Sequence, residues 1–294
     1  RDSNYMKDGW RSYMPKAVRE KFGKPCISMG NIRNPKVAEQ ILADGDADLI
    51  GMGRGLIAEP AWVNKVATGR ECDLRKCISC NIGCAGNRIG FNRPIRCTVN
   101  PNVPDGEGYK KLKVNKPCNV VVIGGGTAGM EAACTAAEVG CTTFLLEKKP
   151  YLGGLAAEIS KIPDKKRLAD FPNYMIHRTN NLKNLFAFTN TDANVDFIKN
   201  LKPNIIVNAT GSSPLGTYKQ LIEWYNKGDI DFSGVTSVNL DEYVGLDGKN
   251  DQSYRYFMNH NFFDHINISI NNTFVPNGCA VDLAGEGQRY DEHI

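Results

Sequence analysis

No segment of the 294-residue chain approaches the roughly 18 uninterrupted apolar residues that a membrane-spanning helix needs, so no membrane partner is expected. Basic residues form no long or patterned run, and a net charge of +4 is small for this length. Nucleic acid is therefore not expected as a partner. The short tract Asp164-Lys165-Lys166-Arg167 reads as a solvated helix start. Internal repeats and low-complexity tracts are also missing. The opening residues, RDSNYMKDGW, have neither a signal-peptide layout nor an initiator Met, which reads as a start inside a longer protein. Cysteine is not scarce, with ten in the chain, but it is too dilute for a small disulfide scaffold. A reducing, cytoplasmic location is the expectation. What remains is the composition of a globular protein, 41% apolar and 23% charged, with length for about two domains.

The first 70 residues alternate helix and strand. Residues 8–22 predict a helix interrupted or begun near Pro15, "CISMG" (26–30) a short buried strand, residues 34–44 a helix with Pro35 in its first turn, and "ADLIGMGR" (47–54) a second apolar strand. This is an α/β unit with parallel strands. Two successive strands ending in glycine fit a phosphate site on the C-terminal rim of a TIM barrel. Residues 71–100 lose periodicity and read as a loop ordered by whatever its cysteines hold. A polar linker, 101–117, follows.

Two motifs carry chemistry. Cys77-x2-Cys80-x3-Cys84-x12-Cys97 offers four thiolates, three of them within eight residues and one returning from a distance. Such a set can wrap a tetrahedral zinc or an iron–sulfur cubane, and the uneven spacing favours the cluster over paired zinc knuckles. The neighbouring Arg75, Lys76, Arg93 and Arg96 offer charge to offset the thiolates. The second motif is Gly124-Gly125-Gly126-Thr127-Ala128-Gly129, a G-x-G-x-x-G between the apolar strand Val120–Ile123 and the helix Ala128–Val139. Gly124 permits the turn, Gly126 admits a pyrophosphate to the backbone, and Gly129 lets helix and strand pack closely. Free N–H groups at the helix start then face the phosphates. Glu147, ending the next strand, is placed for ribose hydroxyls. The motif leaves FAD and NAD open. The remaining cysteines sit in large part where a thiol acts as a small core residue. Further on, the residues predict a strand and turn at 185–193, a short helix "VDFIKNL", a strand "NIIVNATG", a helix over 216–227, a strand "VTSVNL" (235–240) and a helix over 253–264.

In this order the segments "MGNIRNP", "ADLIGMGRGLIAEPAW", "KCISCNIGCAGNRIGFNRPIRCTVNP", "VVVIGGGTAGMEAA" and "NATGSSP" resemble the iron–sulfur flavoprotein branch of the old yellow enzyme family, which includes 2,4-dienoyl-CoA reductase, 2-enoate reductase and trimethylamine dehydrogenase. The resemblance covers residues 1–213. It implies the C-terminal end of an FMN-holding TIM barrel (1–70), a 4Fe-4S loop (71–105) and a partial Rossmann-like FAD domain (106–213). In that family electrons pass from NAD(P)H through FAD and the cluster to FMN, which reduces an activated C=C bond of a small-molecule substrate. Carried onto this chain, Gly30, Asn31, Gly53 and Arg54 would hold the FMN phosphate. Cys77, Cys80, Cys84 and Cys97 would hold the cluster. Gly124, Gly126, Gly129, Glu147, Gly154 and the Ala209-Thr210-Gly211 turn would hold FAD. Two departures are expected to impair activity: the earlier barrel strands and the NAD(P)H half of the reductase module are not in this chain.

From "TGSSPLGTYKQLIEWYNKGDIDFSGVTSVNLDEYVGL" onward the sequence resembles the N-terminal part of glucosamine-6-phosphate deaminase, a partial α/β domain over residues 210–294. There Thr210, Gly211, Ser212 and Ser213 would bind the sugar phosphate at a helix start, and Asp241 would act as acid/base. His260 and His265 are expected to be surface or packing residues rather than substitutes for the family's catalytic His. "TGSSP" is legible in both families, so the chain reads as a chimera joined there. A splice of two genes or reads, or a genuine fusion of two incomplete parts, would each produce it. Both active sites are expected to be incomplete, and the exposed faces of part-sheets to make the chain poorly soluble.

Overall fold

The computed structural model describes residues 3, 5–103, 113–208, 215–239 and 241–291. The chain divides into a unit of residues 1–207 and a unit of residues 208–294.

The first unit opens with α1 (Tyr13–Phe22), which stops at Gly23 because that residue turns left-handed, at φ 59°, and returns its N–H to Arg19 O. β1 (Ile27–Met29) and β2 (Leu49–Gly51) pair in parallel with Ile27 opposite Leu49. Between them α2 (Pro35–Ala43) begins where predicted: the Asn34 side chain accepts from Lys36 N–H, and Pro35 occupies the first turn, where a missing N–H costs nothing. Short helices α3 (Arg54–Ala58) and α4 (Trp62–Ala67) follow. Ile32, Ala38, Ile41, Ala47, Trp62 and Leu74 form the core behind the strands, and Trp62 fixes its indole by donating to Arg33 O at 3.1 Å. The opposite strand face is uncovered: Ile27, Met29 and Leu49 are 54%, 64% and 57% exposed, so the strand expected to be buried over 26–30 is buried only at Ser28, whose side chain faces the core.

The cysteine segment is more regular than its composition suggests. It holds a 3₁₀ turn (Glu71–Asp73) and a π-helix (Ile82–Gly90), entered through Asn81 in the left-handed region. After it comes a four-stranded sheet with order β5-β4-β3-β6, formed by β3 (Asn119–Ile123), β4 (Thr142–Leu146), β5 (Leu185–Phe188) and β6 (Ile205–Asn208). β3, β4 and β5 are parallel. The helices are α5 (Thr127–Val139), α6 (Gly154–Ile159), α7 (Asp170–Asn181) and α8 (Val195–Asn200). The order places β3, the first strand of this sheet, between the second, β4, and the fourth, β6, as in a mononucleotide-binding half of a doubly wound fold. Val120, Val122, Met130, Ala133, Cys134, Leu145 and Met175 fill its core. Arg178 of α7 reaches Glu131 and Glu138 of α5, each at 2.6 Å, and clamps the two helices. Cys134 and Cys141 are buried as predicted for small core residues, whereas Cys72 and Cys279 are exposed.

The second unit contains α9 (Leu215–Asn226), β7 (Ser237–Val238), α10 (Tyr254–Asn261), β8 (Thr273–Phe274) and α11 (Leu283–Asp291). Of the stretch expected as a strand over 235–240, the described residues 235–239 form one only at Ser237–Val238, because β8 offers a two-residue partner. Its core is aromatic: Tyr218 stacks on Phe262 at 4.9 Å and Phe232 meets Phe262 edge-on at 5.5 Å. Glu242 caps α10, its carboxylate accepting the N–H groups of Tyr254 and Arg255 at 2.9 Å.

Candidate functional site

Cys77, Cys80, Cys84 and Cys97 line one bay, together with Arg54, Ile57, Ile78, Asn81, Gly83, Thr98 and Val99. Two separated pieces of chain must meet to build it. Gly83 sits so close to the returning strand that a Cβ there would stand 2.7 Å from Arg96 O, and Arg96 N–H donates to Gly83 O at 2.7 Å. Glycine at this position therefore lets the π-helix carrying Cys84 lie against the segment carrying Cys97. Ala58, Ile78 and Val99 form the apolar backing.

The donor set suits a cluster. Burial pushes the Cys77 and Cys97 thiols up, opposed by backbone N–H groups, that of Ser79 on Cys77 and those of Val99 and Asn100 on Cys97; Arg54 adds a favourable charge at Cys77. Ser79 N–H lies 3.3 Å from Cys77 Sγ, and Thr98 Oγ1 lies 3.2 Å from Cys80 Sγ. Donors aimed at sulfur are what a thiolate-ligated cluster uses to offset its charge. Among the described residues no three of these sulfurs approach within 4.8 Å of one another. A single zinc with bonds of about 2.3 Å would hold its sulfurs roughly 3.8 Å apart, closer than any three of these sulfurs stand.

Gly30, Asn31, Gly53 and Arg54 come together in the structure. They line a cavity of about 230 Å³ at the ends of β1 and β2, with Arg33, Gly55 and Cys77. Arg54 and Cys77 line both spaces. The side chains themselves reach toward the cysteine segment: Arg54 Nη1 donates to Asn81 Oδ1 at 2.6 Å, and Asn31 Oδ1 accepts from Ser79 Oγ at 2.7 Å. Of the cations expected to flank the cysteines, Arg75 instead donates to Ala58 O and stands over the Tyr174 ring. The charge facing the bay comes from Arg54.

A polar network underneath went unread in the sequence. Arg33 bonds Asp8, Cys77 O and Asp170. Arg167 bonds Ser79 Oγ at 3.0 Å, Met6 O at 2.6 Å and Asp8 at 2.8 Å. Its side chain is 8% exposed, so the expectation of a solvated tract fails at Arg167; Lys165 and Lys166 are exposed as expected. A positive φ at Ser79 and Asn81 marks where the loop turns to meet these arginines, and the local sequence signals it only through asparagine.

The glycine turn after β3 has the expected form. A Cβ on Gly129 would fall 1.8 Å from Gly124 O, and one on Gly154 would fall 2.8 Å from Gly126 Cα. Gly124 is left-handed at φ 105°. Glu147 sits beside the turn, its Oε2 accepting Gly125 N–H at 2.6 Å and its Oε1 accepting Lys149 N–H at 2.8 Å. Gly211 lies outside the described residues, as do Thr210, Ser212 and Ser213. Asp241 is exposed, just after β7; partial desolvation, then Glu242 beside it, raise its carboxyl above the ordinary range. His260 stacks on Tyr256, and His265 contacts His260 O, so both serve α10 and the turn after it, as expected. No described helix is long and apolar enough to cross a membrane.

Residues 3–73 match the model of the NADH:flavin oxidoreductase / NADH oxidase family, and residues 119–186 match that of FAD dependent oxidoreductases. The chain is 39% identical to an NADH oxidase of Thermoanaerobacter brockii over 83% of its own length and 38% of the relative's. It is 67% identical over 95 residues to a glucosamine-6-phosphate deaminase of Lachnoclostridium phytofermentans, covering 32% of this chain and 40% of that one. Among solved structures, a 2-naphthoyl-CoA reductase complex superposes with a TM-score of 0.67 at 30% identity, over 71% of this chain and 32% of that one. The chain thus spans well under half the length of each of these proteins. It joins a segment similar to NADH:flavin and FAD-dependent oxidoreductases to a segment similar to glucosamine-6-phosphate deaminases.

Proposed function

We propose that residues 1–207 are the cofactor-coupling part of an iron–sulfur flavoprotein reductase that takes electrons from NAD(P)H and delivers them to an activated C=C bond of the enoate or enoyl-CoA type. The observation that carries this reading is the sharing of Arg54 and Cys77 between the cysteine bay and the cavity at the β1 and β2 ends. A flavin phosphate in that cavity and a 4Fe-4S cluster in the bay would be neighbours. When bound, these groups supply hydride acceptance and one-electron transfer. The chain's own residues hold and tune them: four thiolates ligate, the Ser79, Val99 and Asn100 N–H groups face the sulfurs, and Arg54 balances charge on both sides. Gly124, Gly126 and Gly129 shape the turn that admits the FAD pyrophosphate. The reductase likeness to a protein named for an aromatic acyl-CoA substrate supports the substrate class.

The test is anaerobic reconstitution of the chain with iron and sulfide in the presence of FMN and FAD, followed by iron and flavin analysis. About four irons per chain, lost in Cys84→Ser and Cys97→Ser, are expected. Stoichiometric zinc instead of iron, or iron retained in both variants, would sink the reading.

A second reading applies to the C-terminal segment, supported by the 67% identity over 95 residues to a deaminase. We infer that this segment is the phosphate-binding half of an amino sugar phosphate deaminase, with Asp241 as acid/base. Asp241 is exposed rather than set in a cavity. Ammonia release from glucosamine 6-phosphate is therefore expected to stay at the blank level, and measurable turnover would overturn that expectation.

A further inference from the structure

Outside the cysteine bay, one other group of side chains converges. Cys72 Sγ, an Asp73 carboxylate oxygen and a His177 ring nitrogen all lie within 4.8 Å of one another, the one such trio of His, Cys, Asp or Glu among the described residues. Cys72 and Asp73 belong to the 3₁₀ turn that leads into the cluster segment, and His177 belongs to α7. His177 Nε2 lies 2.8 Å from Asp73 Oδ1.

We propose that Cys72, Asp73 and His177 form a metal site for zinc or a similar borderline-soft divalent cation, separate from the cysteine bay. One thiolate, one imidazole and one carboxylate are the donor types zinc takes, and three protein ligands leave a fourth position for water. The frame is held from both sides. Leu74, next to Asp73, is buried in the core behind the strands, and Lys65 Nζ donates to Asp73 O at 2.9 Å. On α7, Met175 and Thr179 flank His177 and are fully buried, so the imidazole stands on a fixed helix face. Asn181 Nδ2 lies 2.8 Å from the same ring nitrogen. A metal on Nε2 displaces whichever hydrogen bond that nitrogen makes, one donated to Asp73 when it carries the proton or one accepted from Asn181 when it does not. The adjacent amide then becomes a neighbour to the bound water. The site ties the start of the cysteine segment to the dinucleotide-binding half, a metal crosslink of two pieces about a hundred residues apart in sequence, which stabilises the folded state in proportion to metal occupancy. The inference rests on no part of the flavoprotein reading.

The test is residue-specific. Reduced, anaerobic protein is treated with N-ethylmaleimide while zinc is raised stepwise to excess, and each cysteine is followed by peptide mapping. Zinc should protect Cys72 while the exposed Cys279 continues to react, and protection should be lost in His177→Gln and Asp73→Asn proteins whose circular dichroism matches the parent. Cobalt in place of zinc should give a thiolate-to-cobalt absorption that Cys72→Ser diminishes. Equal alkylation of Cys72 with and without zinc, or protection that survives both variants, would overturn the site. Mapping separates Cys72 from Cys77, Cys80, Cys84 and Cys97, so loss of the cluster reading and loss of this site are told apart.

Discussion

Cys134 illustrates how burial alone sets the chemistry of a residue in this chain. Its side chain is fully buried against Thr179, and desolvation pushes its thiol above the ordinary range. The folded state therefore holds the proton more tightly than the unfolded chain does. The stability this confers is present below the ordinary thiol pKa and is lost as pH rises through the raised value. The urea midpoint of the parent is expected to fall more steeply above about pH 9 than that of Cys134→Ala, and parallel profiles would refute the assignment. At this scale the four-cysteine motif is legible, because its close spacing is what a cluster site would require. Arg54 stands out in the sequence through its Gly-x-Gly-Arg context but not as the partner of Asn81, and the burial of Arg167 runs against its polar neighbourhood in sequence. Such pairings join residues far apart in sequence, Arg167 to Asp8 above all, and no local pattern encodes them.

Helix α5 and its glycine turn are the elements written most clearly in the sequence, since each glycine has a steric reason. Replacing Gly129 by Ala forces a Cβ into Gly124 O and is expected to cost at least about 1–3 kcal/mol, read as a lower thermal midpoint with loss of FAD binding. An unchanged midpoint would mean the turn relaxes freely. Helix α2 is equally legible from Asn34 and Pro35. The π-helix over Ile82–Gly90 is not, because its winding answers to the segment that Gly83 packs against rather than to any hydrophobic period. The strand expected over 235–240 is shorter for a related reason: residues of good strand propensity become a strand only as far as a neighbour pairs with them.

On the scale of the whole molecule, the uncovered face of β1 and β2 is the feature with the largest consequence. Ile27, Met29 and Leu49 expose apolar side chains on adjacent parallel strands, a combination that favours association. Light scattering should show the parent chain self-associating, and Ile27→Lys combined with Leu49→Lys should reduce the scattering while leaving iron incorporation intact. A monodisperse parent would contradict this. The sequence by itself determined the α/β alternation, the four-cysteine motif, the glycine turn and the presence of two likenesses in one chain, because each depends on residues close together along the chain. Tertiary structure decided that Arg54 and Cys77 serve two cavities at once, that Arg167 is buried beneath the cysteine segment, and that Cys72 meets His177. Those outcomes depend on which distant segments come into contact, and that is fixed by the packing of the cores rather than by local spacing.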